Sequence, residues 1–200
     1  MAKEGIPFIL VALAIAALLA MAGWWIGVAV FVLIAAFLVY FFRDPHRNVP
    51  EDGGSILAAA DGRVTRITED EDGTLISVFM SPFDVHINRS PISGTIREII
   101  YLKGRKLPAT RNEASYVNER NTLVIEGKDL TVRCTQIAGI MARRIVCRPK
   151  VSDKIERGER FGLIKFSSRT DVLVPKGFEV AVKIGDHVRG GETVIARPGS

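Results

Sequence analysis

Two adjacent serines, Ser167 and Ser168, lie between apolar segments of the stretch 161–175 and could supply a nucleophile. The flanking segments are typical of strands, so the hydroxyl pair is predicted where two strands meet. A serine hydroxyl is a weak nucleophile until a base takes its proton. His86 can act as that base, and Asp61 can orient the imidazole by accepting its other N–H. The chain therefore has the residue types needed to activate a serine hydroxyl.

Each of these residues also has a purely structural interpretation. His86 could be a strand histidine bonded to the backbone, and Asp61 precedes a glycine in a common turn pair. His86 remains the better base, because His46 follows the apolar N-terminus and His187 lies in a predicted turn. Sequence spacing does not choose between the two interpretations, since such triads assemble in space.

The N-terminal segment is long and uncharged, and its length indicates how it could attach to a membrane. No charged residue occurs from Ile6 to Phe42. A straight helix over this run would be roughly 55 Å long at about 1.5 Å per residue, whereas the hydrocarbon core of a bilayer is about 30 Å. We therefore predict a membrane helical hairpin with arms Pro7–Met21 and Trp25–Phe42. A hairpin that dips into the bilayer and returns is the alternative.

Positive charges flank the hairpin at both ends: Lys3 before it, and Arg43 and Arg47 after it. A hairpin returns both ends to one side, and positive flanks favour the cytoplasm. Residues 1–47 are thus predicted as anchor and linker at the cell membrane, with residues 48–200 as a catalytic domain on its cytoplasmic side.

The second part is predicted to be mostly β. Short β-rich segments alternate with turn residues, and the clearest are listed here: 62–68, 75–80, 94–102, 121–126, 130–137 and 144–147. The segment Lys103–Glu119 is polar and basic, and long loops of this kind are often binding loops or lids. A weak repeat relates Asp153–Glu159 to Asp186–Glu192 at an offset of 33 residues. The pattern is typical of the lipoyl-like hairpin module of lipoyl and biotinyl carriers, although the central turn has no lysine for attachment.

The amino-acid composition indicates which kinds of binding partner the chain is suited to. The formal net charge of +5 suits a domain on anionic lipid headgroups, and no basic-aromatic motif favours nucleic acid. Cys134 and Cys147 lie in apolar strand patterns and are predicted to be buried thiols. Two cysteines and three histidines make no convincing metal site, so no metal is predicted.

Several short motifs occur together and in order along the chain. They are Phe41–Pro45, Ala59–Gly62, Ser81–His86 with Pro91 and Gly94 after it, Asn118–Asn121, Gly158–Gly162 and the Phe166–Arg169 junction. With the apolar N-terminus, this set resembles the phosphatidylserine decarboxylase family in its short, membrane-attached form, including the archaetidylserine-type relatives.

The resemblance implies a self-processing, pyruvoyl-dependent enzyme that converts phosphatidylserine to phosphatidylethanolamine and CO2 at the membrane surface. By motif, Ser168 would become the covalent pyruvoyl group, His86 would be the base and Asp61 its orienter. Cleavage between Ser167 and Ser168 would give a β chain, 1–167, and an α chain, 168–200, that stay associated. The implied partners are a phospholipid substrate and the membrane; homo-oligomer formation and the choice between diacyl and archaeal ether lipids are left open.

The chain departs from the family pattern at two positions. Ser167 stands where the family usually has glycine, and a Cβ restricts the backbone there. Phe83 stands where longer members have a second histidine, so the proton donor for decarboxylation must be another group or solvent. Three other interpretations remain: a membrane-tethered lipoyl-like adaptor or carrier without catalysis, a membrane serine hydrolase that uses the same three residues, and a processing-impaired pseudoenzyme caused by Ser167.

Overall fold

The computed structural model describes residues 1–52, 54–111, 113–140, 144–165 and 168–199. The chain divides into two compact units, Met1–His46 and Arg47–Ser200. This division lies one residue from the boundary expected from the sequence.

The first unit is a helical pair. A 3-10 turn, Lys3–Gly5, precedes α1, Ile6–Met21, and a short turn connects it to α2, Trp25–Phe41. The two ends of the pair meet, because the Ala2 amide donates to the carbonyl of Phe42 at 2.8 Å. Small buried side chains allow this close packing: Ala12, Ala16, Gly27 and Ala35. The predicted N-terminal helical hairpin is confirmed.

One helix among the described residues is long and apolar enough to cross a membrane. It is Lys3–Met21, which has 19 residues and a mean hydropathy of 2.3, whereas Trp25–Phe41 is shorter. The usual spanning range begins at about 17 residues, so Trp25–Phe41, with 17 residues, is at its short end.

The second unit is mostly β, as predicted. Its strands are β1 Ile56–Leu57, β2 Gly62–Asp70, β3 Gly73–Met80, β4 Ile87–Arg89, β5 Gly94–Leu102, β6 Arg120–Glu126, β7 Thr131–Ala138, β8 Ile145–Cys147, β9 Lys154–Ile155, β10 Arg160–Ile164, β11 Ser168–Pro175, β12 Phe178–Val180, β13 His187–Val188 and β14 Val194–Pro198. One short helix, α3 Ala114–Val117, lies between β5 and β6. The strands β2 and β3 extend beyond the predicted segments 62–68 and 75–80, so the acidic turn between them is shorter than expected, because Asp70 already pairs with Gly73.

Eight strands form an antiparallel sheet in the order β13-β2-β3-β11-β7-β6-β5-β9. Two three-stranded sheets, β1-β14-β12 and β4-β10-β8, accompany it. Alternate residues of β6 and β7, such as Leu123, Ile125 and Val132, are fully buried in one core with Val172 and Val174 of β11. One face of these central strands therefore packs on the core, and the other face carries the remaining side chains.

The sequence repeat forms two matching turns. The Asp153 carboxylate accepts the Lys150 amide at 2.7 Å, and the Asp186 carboxylate accepts the Lys183 amide at 2.8 Å. Gly158 and Gly191 both have φ +78°, a conformation that favours glycine. Each turn lies between two strands, whereas the likeness to lipoyl carriers stays a prediction.

Candidate active site at one end of the eight-stranded sheet

Strand register brings the three predicted residues to the same end of the large sheet. Ser168, the first residue of β11, pairs with Met80, the last of β3, and with Ala138, the last of β7. On the other side of β3, Arg63 pairs with Phe79, so β2 begins beside the end of β3. Neighbouring strands lie about 4.8 Å apart. Asp61, directly before β2, and the loop from Ser81 to His86, directly after β3, therefore lie at the end of the sheet where Ser168 begins its strand.

Ser168 is fully buried. Its Oγ donates to the thioether Sδ of Met80 at 3.6 Å. Met80 packs with Ala60, Ala138 and Ile164 in a small apolar cluster, so the surroundings of the hydroxyl are compact and largely uncharged. Ser167, the other predicted cleavage-site residue, lies outside the described residues.

His86 is held in one tautomer by its loop. The ring is buried, and Nδ1 lies 2.9 Å from the carbonyl oxygen of Asp84. A carbonyl can only accept, so Nδ1 carries a proton, and in the neutral ring the lone pair is then on Nε2. The role of His86 as a base stays a prediction.

Hydrogen bonds within the loop 81–86 fix the position of that carbonyl. The Asp84 carboxylate accepts the Ser81 amide at 2.8 Å and the Ser81 hydroxyl at 2.6 Å. The Asp84 amide donates back to the Ser81 carbonyl at 3.0 Å. His187 also contacts Asp84, with Nε2 3.1 Å from Oδ1. The motif Ser81–His86 thus forms a self-bonded turn that orients the imidazole through the main chain.

The backbone of His86 lies next to the strand that leads toward Ser168. Ile87, the following residue, pairs with Leu163 of β10, and β10 ends at Ile164, four residues before Ser168. On its other side β4 adjoins the turn that contains Asp61, because the Arg89 amide donates to the Ala59 carbonyl at 2.8 Å. The backbone that follows His86 is therefore bonded to β10 on one side and to the segment before Asp61 on the other.

Asp61 forms the centre of a buried ionic cluster. Its Oδ2 lies 2.7 Å from Nη2 of Arg47, and its Oδ1 accepts the Gly190 amide at 2.8 Å. Arg47 also contacts Glu192 at 3.3 Å. The Asn48 amide and then Arg47 hold the pKa of the Glu192 carboxyl below its usual value.

The geometry assigns Asp61 two partners that were not expected from the sequence. Glycine is needed at position 190 because a Cβ there would lie 2.9 Å from Cα of Ala60. The hydrogen bonds of the Asp61 carboxylate just described go to Arg47 and Gly190, and the partner of the His86 Nδ1 is the Asp84 carbonyl. The role of Asp61 as orienter of His86 stays a prediction.

A chain of buried amides lies beneath Ser168, and sequence reasoning missed it. Asn88 approaches the Met80 sulfur at 3.8 Å and accepts from Gln136 at 2.8 Å, and Gln136 in turn accepts from Asn121 at 3.2 Å. The signal was present in β7, where Gln136 follows Val132 and Cys134 on the core-facing positions of the strand. Full hydrogen bonding makes such a buried network stable.

Metal-dependent chemistry and thiol chemistry have less support in the described part of the chain. There, no group of three or more His, Cys, Asp and Glu side chains is arranged to hold a metal ion. Burial raises the pKa of the Cys134 thiol and also that of Cys147, and neither cysteine forms a disulfide. A thiol with a raised pKa is a poor nucleophile near neutral pH.

Comparison with known proteins gives a consistent result. A family model described as phosphatidylserine decarboxylase matches residues 34–196. A protein of Geotalea uraniireducens named phosphatidylserine decarboxylase proenzyme is 42% identical over 201 residues, which cover 97% of this chain and 94% of the relative. Proteins with the same name from Nitrosomonas europaea and Symbiobacterium thermophilum are 46% and 43% identical over 204 residues, with 98% of this chain and 94% of each relative covered.

Proposed function

Because this chain belongs to the phosphatidylserine decarboxylase family, we propose that it is a proenzyme that cuts itself at Ser168 and then decarboxylates phosphatidylserine to phosphatidylethanolamine. The observation that supports this most strongly is the common sheet end of Ser168 and His86, with Nδ1 of His86 held as a donor. Decarboxylase activity itself follows from the family.

In the proposed self-processing step, Ser168 Oγ attacks the carbonyl carbon of residue 167 and gives its proton to Nε2 of His86. The peptide C–N bond breaks, the freed nitrogen takes a proton, and an ester joins residue 167 to the Ser168 side chain. Loss of the α-proton of residue 168 then breaks its Cβ–O bond, so residue 167 leaves as a carboxylate and dehydroalanine remains. Water converts this residue to a pyruvoyl group and releases ammonia.

The surroundings of Ser168 fit a pyruvoyl group, because they are buried and bounded by small or apolar side chains such as Ala60, Met80 and Ala138. Such a carbonyl group accepts the electrons left on the substrate's α-carbon when CO2 departs. His86 is proposed to move protons in the self-processing step. Asp84 orients its ring, and the charge of Asp61 stabilises the imidazolium.

We further propose that the helical pair holds the enzyme at the cell membrane with its catalytic unit on the cytoplasmic side. The charge-free helices and the joined ends at Ala2 and Phe42 support this arrangement. Arg43 supports it too, because its guanidinium lies 3.8 Å from the ring centre of Tyr40, as basic and aromatic residues do at membrane interfaces.

The test compares the full-length chain with Ser168→Ala, His86→Ala and the control Ser77→Ala, in which a buried serine of β3 is changed away from the site. Intact-mass spectrometry should show two fragments for the unmodified chain and the control, with the smaller one beginning in a blocked residue. Ser168→Ala and His86→Ala should stay uncut, and only cut protein should release CO2 from phosphatidylserine in mixed micelles. An uncut unmodified chain would indicate an adaptor or a pseudoenzyme, and normal cutting of both variants would refute the assigned roles.

A further inference from the structure

Arg169, the residue after Ser168, is buried although it lies on the face of β11 that points away from the core. The residue is 1% exposed. Nη1 donates to the carbonyls of Ala109 at 3.0 Å and Arg111 at 3.1 Å. Nη2 donates to the Ser115 hydroxyl and, at 3.2 Å, to Asp171.

Nε lies 2.9 Å from the other Asp171 oxygen, which is an ion-pair contact and not a hydrogen bond, because neither atom has a hydrogen-bond partner among the described residues. The two terminal nitrogens therefore supply the hydrogen bonds of the guanidinium, with two acceptors each. Ser115 joins the set, because its hydroxyl donates to Asp171 at 2.9 Å. These bonds and the ion pair orient the Arg169 side chain.

Most of these acceptors belong to one segment, Lys103–Glu119, here called the strap. The strap is also bound close to Ser168 across the sheet. Asn118 is buried, and its amide donates to the carbonyl of Ala138, the residue that pairs with Ser168, at 2.8 Å. A second bond from the same amide, to the Leu107 carbonyl at 2.8 Å, closes the base of the strap. The strap is thus attached to the residue after Ser168 along the chain and to the residue opposite it in the ladder.

We propose that Arg169 and Asp171 act as a clasp that holds residue 168 in its working position once the chain has been cut. This inference rests on the proposed function, because cleavage would place the clasp on the α chain and the strap on the β chain. Before cleavage, residue 168 is restrained by the chain on both sides. After cleavage the restraint from residue 167 is lost, and the side-chain bonds to the strap replace part of it.

The decisive variant is Arg169→Lys, which keeps the positive charge but replaces the fork by a single ammonium group. The matched control is Arg133→Lys on β7, whose exposed side chain contacts Asp72 at 3.0 Å and has no link to the strap. Both substitutions are made in the full-length chain and also in the uncut Ser168→Ala background. The thermal midpoint, the urea concentration that releases the α chain, and kcat and KM for phosphatidylserine in micelles are then measured.

We expect Arg169→Lys to be cut as the unmodified chain is. Its thermal midpoint should fall about twice as far in the cut enzyme as in the uncut background, because the cut enzyme no longer has the chain connection to residue 167 that also restrains residue 168. The α chain of the variant should also be released at a lower urea concentration. kcat should fall about tenfold while KM changes by less than about threefold, because the group made from residue 168 would be misplaced without loss of the lipid-binding surface. Arg133→Lys should match the unmodified chain in every measurement.

Two results would overturn the clasp. One is an equal thermal loss in the two backgrounds with an unchanged kcat, which would make Arg169 a contributor to fold stability only. The other is a large rise in KM at constant kcat, which would assign it to substrate binding. If Arg169→Lys does not fold, Ser115→Ala removes the one side-chain partner that the strap supplies, keeps the carbonyls of Ala109 and Arg111, and should shift the same quantities in the same direction by a smaller amount. Failure of the unmodified chain to be cut would instead refute the proposed function, and the clasp with it.

Discussion

The substitution Asp61→Asn tests whether the carboxylate serves catalysis or only the fold. Asparagine keeps the shape and an oxygen for the Gly190 amide, but it loses the charge that faces Arg47 at 2.7 Å. The matched variant is Arg47→Met, which breaks the same ion pair and keeps the Asp61 carboxylate. If Asp61 stabilises protonated His86, only Asp61→Asn should slow self-cleavage.

The structure sets the scale of the stability loss. Removing one partner of a buried ion pair costs about 3–5 kcal/mol. In Asp61→Asn, Arg47 keeps its second contact, to Glu192 at 3.3 Å, so the loss in free energy of unfolding should be about 2–4 kcal/mol. Arg47→Met also loses that contact and leaves the Asp61 carboxylate without its cation, so it should lose about 3–5 kcal/mol. Either loss leaves a domain in the upper part of the ordinary stability range, about 5–15 kcal/mol, mostly folded.

Two measurements separate the roles. Urea unfolding in detergent, in the uncut Ser168→Ala background, gives the stability of each variant, with the exposed Asp72→Asn as a control expected to lose less than about 0.5 kcal/mol. The time course of fragment appearance gives the cleavage rate, which should fall about 10- to 100-fold in Asp61→Asn and by less than about threefold in Arg47→Met. Equal slowing in the two variants would refute a catalytic role and assign Asp61 to the ionic cluster alone.

Three further predictions concern neighbouring groups. Met80→Leu removes the sulfur that accepts the Ser168 hydroxyl at 3.6 Å but keeps the side-chain volume. Self-cleavage, followed on a gel time course, should become faster, and the free energy of unfolding should fall by less than about 1.5 kcal/mol. Slower cleavage would contradict this reasoning. The pKa of Glu192 is lowered in the folded chain, so its contribution to stability is present above the ordinary pKa of about 4.3 and is lost as pH falls through the lower folded value. The urea midpoint of Glu192→Gln should therefore decline less steeply in this acid range than the midpoint of the unmodified chain. Parallel declines of the two midpoints would exclude the effect. Burial raises the pKa of both thiols, so iodoacetamide at pH 7 should label Cys134 only after unfolding and Cys147 more slowly than free cysteine, as followed by mass spectrometry; rapid labelling of folded Cys134 would show that its strand opens.

Elements with a strong local signal could be predicted from the sequence. The charge-free run gave the helical pair, and β5, Gly94–Leu102, has the predicted bounds because it is rich in isoleucine and begins at a glycine. The turn after β2 was predicted too long, since acidic residues that usually mark a loop continue the ladder as far as Asp70. Local composition indicates that a turn exists but does not determine where pairing stops.

The partners of the site residues could not be predicted, because they come from distant parts of the chain. Asp61 contacts Arg47 and Gly190, and the positions of these residues depend on how β1, β2 and β13 come together. Arg169 and Asp171 lie at alternate positions of β11, and charged residues with this spacing usually indicate the solvent-facing side of a strand. They are buried because the strap covers that side, and nothing in the alternation itself reveals such a cover.

The position of the proposed cut explains how a chain can be broken at its own active site without losing the fold. The strands that follow Ser168 are interleaved with those that precede it: β11 lies between β3 and β7, β13 pairs with β2, and β14 pairs with β1. A break before β11 therefore leaves every one of these ladders intact. The same interleaving has a consequence for timing, since Ser168 meets Met80 and the His86 loop only after β11 has entered the sheet. The proposed cut then requires prior folding, and a chain whose β11 is out of register would carry the proposed nucleophile and the proposed base without bringing them to the same end of the sheet.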